Sequence, residues 1–498
     1  MNRLKLASRV INYFNNISFF YVNNLYMVYK KTRKTEKNKY DSELCDNSMS
    51  YRECELAILR KAVDDSDAIK REKLVRTDDI DSIIKILEGF LKKKKLICYG
   101  GTAINNILPE QAQFYNREVD IPDYDFYSAN ALADSKELAD LYFKNGYREV
   151  EAKSGVHYGT FKVYVNFIPI ADVTYLQKEI FNNLKKEAIV ISGIYYCPPN
   201  FLRMNMYLEL SRPMGDTSRW EKILKRLILL SQYHPIKFRK LCSESQFQRN
   251  IKSLIKSKEN IYEEVKDILV KQDVVFFGGF ATSLYSKYMD TENPSVKKVP
   301  DFDVLCEDPM LNAERLKREL DIKNITIEKG KEMGEIVPEH CIFKVNNIPI
   351  VFFYKPVACH SYNSIKIGKS YVKIATIDTI LTFYFAFMYT SLPYYNKDRL
   401  LCMAKLLFDV EAKNRLSQKG ILKRFSINCY GKQATLEEIR TEKSNKFKEL
   451  KDKIGTKEYE MWFLKYTPTK KSNKNINKNN RTQKKRSKVS KKSYDYLF

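Results

Sequence analysis

Two aspartates one residue apart, Asp123 and Asp125, follow a glycine pair, Gly100-Gly101, in "CYGGTAINNILPEQAQFYNREVDIPDYDF". In a strand, residues i and i+2 share a face, so the two carboxylates project side by side. Close carboxylates repel unless a cation sits between them. Oxygen ligands of this kind select Mg²⁺ or Mn²⁺. Asp172, in "IPIADVTY", supplies a third carboxylate if its strand lies beside the first. Such a set can hold ions that activate an attacking hydroxyl and neutralise a departing pyrophosphate. Without side chains, Gly100 and Gly101 let backbone N–H groups approach a phosphate, and a helix opening there aims its positive end at the same place. Thr102 adds a hydroxyl donor. The chemistry that this set of residues fits is nucleotidyl transfer.

The set occurs twice. "FFGGFATSLYSKYMDTENPSVKKVPDFDV" repeats the glycines as Gly278-Gly279 and the acids as Asp301 and Asp303, both 178 residues later. The Ile-Pro-Ile triplets at 168 and 348, Pro213 with Pro393, and Arg219 with Arg399 recur at an offset of 180. Four matches in one order at a nearly constant offset point to an internal duplication. The copies differ at one telling position: where the first has Asp172, the triplet alignment puts Phe352. The first copy is therefore read as catalytic and the second as degenerate, structural or RNA-binding.

The elements needed to position these residues follow from periodicity. Apolar residues at helical spacing over 78–95 and 260–272 predict a helix before each glycine pair. Short apolar strands are expected at 96–99 and 274–277. The glycines then open a second helix, and a strand carries Asp-x-Asp. A third helix is expected at 133–146 and at 309–320. Further strands end in the Ile-Pro-Ile segment, and helical stretches around 201–230 and 376–408 close each unit. The expected fold is α+β, an α/β mixed sheet in two tandem copies.

The chain has 498 residues and a formal net charge of +26. Residues 1–40 carry nine Lys/Arg against one acid and residues 470–498 carry eleven against one, which leaves the body near +8. A polyanion partner, nucleic acid first among them, fits such ends. The ten cysteines include no CxxC and the histidines number four, so neither disulfides nor structural zinc are expected. Two uncharged stretches invite a membrane reading. Val10–Tyr29 is too rich in asparagine to span, and Thr379–Asn396 is better read as a buried helix.

Tyr99-Gly100-Gly101, Asp123-Tyr124-Asp125 and Asp172 resemble the motifs of the nucleotidyltransferase superfamily with a polymerase β-type palm, with residues 107–121 as an insertion. "YGGTAINNILP", "ELSRPMGDTSRWEKILKRLILL" and "KIATIDTILTFYFAFMYTSLPYYNKDRLLCMAKLLF" resemble the poly(A) polymerase catalytic subunits of large nucleocytoplasmic DNA viruses. The resemblance covers roughly 50–465. It implies two tandem nucleotidyltransferase-fold domains, catalytic and metal-holding Asp123, Asp125 and Asp172, and template-independent transfer of AMP from ATP to RNA 3′ ends. It also implies action in the host cytoplasm, at virus factories, and packaging in the virion is a further option. No membrane partner is expected, and a homodimer or a viral accessory subunit stays open.

Arg219 and Lys222, in "DTSRWEKILKRL", are candidate triphosphate ligands beside Gly100, Gly101 and Thr102. The competing reading is a solvated amphipathic helix packed through Trp220 and Ile223. The expected domains are a poorly ordered 1–49, a catalytic 50–245, a degenerate 246–466 and a disordered basic tail at 467–498. Two alternatives remain: another terminal nucleotidyltransferase, such as a uridylyltransferase, or a non-catalytic RNA-binding processivity factor.

Overall fold

A two-residue turn of left-handed backbone shapes each half: Asn166 and Phe167 (φ 50° and 65°) in the first, Asn346 and Asn347 (51° and 62°) in the second. Positive φ at both central positions is what a tight hairpin requires. A computed structural model of the chain describes residues 44–45, 49–75, 78–115, 123–237, 242, 259–289 and 302–469. The first turn joins strands β4 (Thr160–Val165) and β5 (Ile168–Tyr175). Pairing runs Val165 with Ile168 and Tyr164 with Pro169, then slips by one residue, so Val163 faces Ala171 and Lys162 faces Asp172. Proline has no N–H for the ladder, and a bulge at Ile-Pro-Ile absorbs the break. A one-residue slip exchanges the faces of a strand, so the bulge decides where Asp172 points.

Strands β1 (Ile97–Tyr99), β2 (Tyr124–Ser128), β3 (Val150–Ser154), β6 (Ile189–Ile191) and β7 (Ile194–Tyr196) complete the first sheet with β16 (Lys465–Tyr466), in the order β16-β3-β4-β5-β2-β1-β7-β6. The pairs β2–β5 and β1–β7 are parallel; the others in this sheet are antiparallel. The second sheet contains β8 (Val275–Phe277), β9 (Phe302–Leu305), β10 (Ile325–Lys329), β11 (His340–Val345), β12 (Ile348–Tyr354), β13 (His360–Ile367), β14 (Ser370–Ala375) and β15 (Cys429–Tyr430). Its order, β10-β11-β12-β9-β8-β14-β13-β15, repeats that of the first from β3 to β6. The slip recurs as well, after Lys344 opposite Pro349, and brings Phe352 opposite Ile342. The fold is mixed α/β, as expected. The hairpins β6–β7 and β13–β14, which follow the Ile-Pro-Ile strands, were not expected from the sequence.

Among the helices, α1 (Tyr51–Val75) belongs to a different unit from the one that holds both sheets, and starts with Ser50 and Glu53 capping each other's N–H groups. In the larger unit, α2 (Asp78–Lys94), α3 (Gly100–Ile107), α4 (Ala131–Lys144), α5 (Lys178–Glu187), α6 (Pro199–Leu210) and α7 (Trp220–Tyr233) serve the first sheet. The second is served by α8 (Glu259–Lys271), α9 (Gly278–Ser286), α10 (Pro309–Glu319), α11 (Ile377–Phe387) and α12 (Lys397–Lys413). Helices α6 and α11 pack together, Tyr207 stacking on Phe385, and one continuous apolar core runs through both halves. Every residue of α11 is buried, and no described helix is long and apolar enough to cross a membrane.

Helices α13 (Leu436–Leu450) and α14 (Lys457–Phe463) precede β16, which returns to the first half. There Lys136 pairs with Glu460, and the Tyr466 hydroxyl donates to Asp140 (2.7 Å each). The cysteine expectation needs correction. Cys45–Cys54, Cys242–Cys402 and Cys359–Cys429 form disulfides, with Cα separations of 5.2, 5.7 and 5.1 Å. These distances suit a bridge, but sequence separations of 160 and 70 for the latter two gave no sign of them. Cys98, Cys197, Cys306 and Cys341 are free and buried. The Val10–Tyr29 stretch, the extension through residue 43 and the tail from 470 lie outside the described residues.

Candidate active site

The site is a row across the first sheet. Tyr99 on β1 faces Asp125 on β2, Asp125 faces Asp172 on β5, and Asp172 faces Lys162 on β4. Alternation explains the row: Phe161, Val163 and Val173 are buried, while Lys162, Asp172 and Asp125 stand half-buried on the opposite face. Asp123 lies just before β2, at the exposed lip. The Tyr99 ring stacks on Tyr127 (3.9 Å between centroids), and its hydroxyl is 2.9 Å from that of Thr174.

Electrostatics set this row apart. Burial first, then the charges of Asp123 and Asp172, push the Asp125 carboxyl up to about 8, against the opposing pull of Lys162 and Arg219. Loss of solvation at the lip, followed by Asp172, raises Asp123 too. Lys162 Nζ donates to both Asp172 oxygens, at 2.9 and 2.6 Å. Burial opposes the charge on Lys162, but its bonds to Asp172 outweigh that and raise its pKa. Among the described residues no three His, Cys, Asp or Glu side chains are already gathered as a metal cage. The donor set nevertheless fits a hard divalent ion: it consists of carboxylates whose mutual repulsion such an ion would relieve.

Gly100 opens α3 with left-handed backbone (φ +73°), and a Cβ there would overlap Asp125 Oδ2. The glycine thus makes room for the carboxylate itself, a reason the sequence did not show. A Cβ on Gly101 would lie 2.6 Å from the Tyr115 hydroxyl and 2.9 Å from Arg226 Nη1. The start of α3 has no side-chain cap, so its N–H groups are not spent on one. Thr102, expected to donate to a phosphate, is buried and donates instead to the Asp123 carbonyl (2.7 Å). Arg219 acts on Asp125 through its charge and rests 3.5 Å from Glu209. Lys222 lies on the exposed side of α7. The cation that reaches the glycines is the buried Arg226, which donates to the Tyr115 hydroxyl (2.7 Å) and stacks 4.8 Å from Phe114. Lys162 and Tyr115 were not singled out from the sequence. Alternation within "FKVYV" was the only hint of the lysine.

Residues 85–216, which include this row, match the family model for the poly(A) polymerase catalytic subunit. The resemblance to viral poly(A) polymerase catalytic subunits is borne out. A protein of African swine fever virus described as "Putative poly(A) polymerase catalytic subunit" is 29% identical over 174 residues, 34% of this chain and 36% of that protein. One of the same description from Acanthamoeba polyphaga mimivirus is 30% identical over 160 residues, 31% of this chain and 27% of that one. The chain thus matches about a third of the length of these relatives. The crystal structure of the Megavirus polyadenylate synthase superposes with a TM-score of 0.68 at 18% identity, over 88% of this chain and 91% of that one, so the fold is shared.

In the second sheet, Asp303 faces Phe277 and Phe352, as Asp125 faces Tyr99 and Asp172. The structural register therefore agrees with the triplet alignment that set Phe352 against Asp172. Asp301 lies outside the described residues.

Proposed function

We propose that this protein is a template-independent poly(A) polymerase that transfers AMP from ATP to RNA 3′ ends. The observation that carries the reading is the register that sets Asp125 beside Asp172, with the Gly100 helix start against the same carboxylate. The family match over 85–216 supports it.

Asp123, Asp125 and Asp172 would hold Mg²⁺ or Mn²⁺, which supplies charge neutralisation at the triphosphate and the leaving pyrophosphate. The rest falls to the chain's own groups. The start of α3 and the Arg226 guanidinium offer donors and positive charge on the β1 side of Asp125, where a triphosphate would lie. The RNA 3′-hydroxyl would approach on the β5 side and lose its proton to an Asp172 oxygen or to solvent. Lys162, which donates to both oxygens, holds Asp172 oriented until the hydroxyl arrives. We also read the halves as copies of one unit, on the shared strand order and the shared slip. The domain limits given above, the cytoplasmic site of action and any homodimer or accessory subunit rest on the resemblance.

Primer extension tests this. Full-length protein is mixed with a labelled single-stranded RNA, Mg²⁺ or Mn²⁺ and each NTP separately, beside an Asp172→Asn variant. A ladder with ATP alone, lost in the variant, is expected. A ladder with UTP would overturn the substrate and keep the chemistry. RNA binding with no ladder from any nucleotide would favour the processivity-factor reading.

A further inference from the structure

The row that carries the carboxylates does not end at Lys162. Lys162 on β4 faces Lys153 on β3, and Lys153 faces Lys465 on β16. Three ammonium groups therefore follow Asp172 on consecutive strands. They share its face, because their neighbours point the other way: Val163 and Ala152 are buried, and Tyr466 reaches back to Asp140 on α4. Lys162 is 36% exposed and Lys153 43%, and Lys465 is exposed too, so the heads line an open surface. Lys153 Nζ sits 4.2 Å over the Tyr164 ring on that face, and one acid, Glu151, lies 3.3 Å from it.

Geometry gives this face a direction. The glycine pair and Arg226 lie on the β1 side of the carboxylates, and the lysines lie on the other. A triphosphate and an acceptor strand must meet at the carboxylates from different sides. Three strand spacings of about 4.8 Å carry the row roughly 14 Å from Asp172. That distance exceeds the spacing between neighbouring phosphates of an RNA strand, so the row can meet more than one of them. The last lysine belongs to β16, after which the chain runs into the basic segment 470–498.

We propose that this face, from Lys162 through Lys153 to Lys465, is the track on which single-stranded RNA lies as its 3′ end enters the site. The lysines hold phosphates, and Tyr164 offers a ring on which a base can stack. Strand β16 then has a functional role, since it supplies the outermost cation of the track. Only the polarity of the RNA rests on the polymerase reading.

The test uses full-length protein and a fluorescein-labelled single-stranded RNA followed by anisotropy, in EDTA, over a series of salt concentrations. The variants are Lys153→Glu/Lys465→Glu, the charge-keeping Lys153→Arg/Lys465→Arg, and Lys317→Glu/Lys323→Glu, which reverses two exposed lysines of the second half. The first should weaken binding about tenfold or more and flatten the log–log salt slope by about 1.4, two phosphates at about 0.7 each. The arginine pair should bind like the parent. Parental binding and slope in Lys153→Glu/Lys465→Glu, an equal loss in the second-half variant, or no RNA binding by the parent would each overturn the track. AMP addition at saturating ATP is a separate arm: the KM for RNA should rise while kcat holds. If the parent adds no nucleotide, the polymerase reading fails and the binding arm still decides the track.

Discussion

The same row of the sheet is polar in one half and, apart from one aspartate, apolar in the other. Tyr99, Asp125, Asp172 and Lys162 in the first sheet correspond to Phe277, Asp303, Phe352 and Ile342 in the second. The glycine is kept in both: Gly278 has φ +71°, and a Cβ there would overlap Asp303 Oδ2. Aromatic residues fill the space over the second row. Tyr354 packs on Phe277, Phe352 and Phe387; its hydroxyl is 2.7 Å from that of Tyr395, and the Tyr394 hydroxyl is 2.9 Å from His340 Nε2. The segment that brings these tyrosines also docks on the first half, where Asn183 donates to the Tyr389 carbonyl and Lys397 pairs with Glu187. We read the second half as a buttress, because aromatic side chains fill the space over its row. The glycine–aspartate contact is present in both halves, so packing alone accounts for it.

The largest effect should separate the two aspartates. Asp125→Asn should lower single-turnover AMP incorporation by about 10³-fold or more, since several kcal/mol of charge stabilisation depends on it. Asp303→Asn should leave the rate within about threefold. Equal losses would mean that both halves carry out chemistry, and the comparison would break. The glycines sharpen it further. Gly100→Ala and Gly278→Ala each force a side chain into left-handed backbone and into a carboxylate, at about 1–3 kcal/mol by urea unfolding. Gly100→Ala should also cost roughly 10²-fold in rate, because a displacement of about 1 Å at Asp125 is enough for that. A Gly278→Ala variant that lost activity but not stability would contradict the buttress.

Much of this contrast was legible in the sequence. The i, i+2 rule and the near-constant offset located Asp123, Asp125, Asp172 and Phe352, and both halves followed the expected course from helix to strand to glycine turn. Lys162 was not legible for a definite reason. Counting back from the Asn166-Phe167 turn sets it opposite Ala171, and only the slip at Ile-Pro-Ile moves it to Asp172. Arg226 lies in the segment "DTSRWEKILKRL" that the sequence brings forward, but its contact with Tyr115 spans 111 residues of sequence. Thr102 has the type of a phosphate donor, yet the closeness of β2 gives its hydroxyl to Asp123. The return of β16 to β3, like the long disulfides, depends on contacts between distant segments that no local pattern encodes.

The smallest expected effect concerns acid, and it also divides the halves. In the first, His234 Nε2 lies 2.9 Å from the Ile107 carbonyl. In the second, His360 is fully buried, and among the described residues neither of its ring nitrogens has a hydrogen-bond partner. Burial first, and then the charge of Arg212, lower its pKa to about 3. The unfolded chain binds this proton near 6.5 and the folded one does not, so stability is held above pH 6.5 and falls as pH drops from there toward 3. Between pH 6.5 and 5.5 the loss should be about 1 kcal/mol. His360→Phe, which keeps a ring among the aromatic neighbours, should reduce the proton uptake on unfolding by about 0.5 at pH 6.5, rising to about 0.9 at pH 5.5. An unchanged pH profile in this variant would show that His360 takes up its proton in the folded state, and that its site is less closed than the filled second half requires.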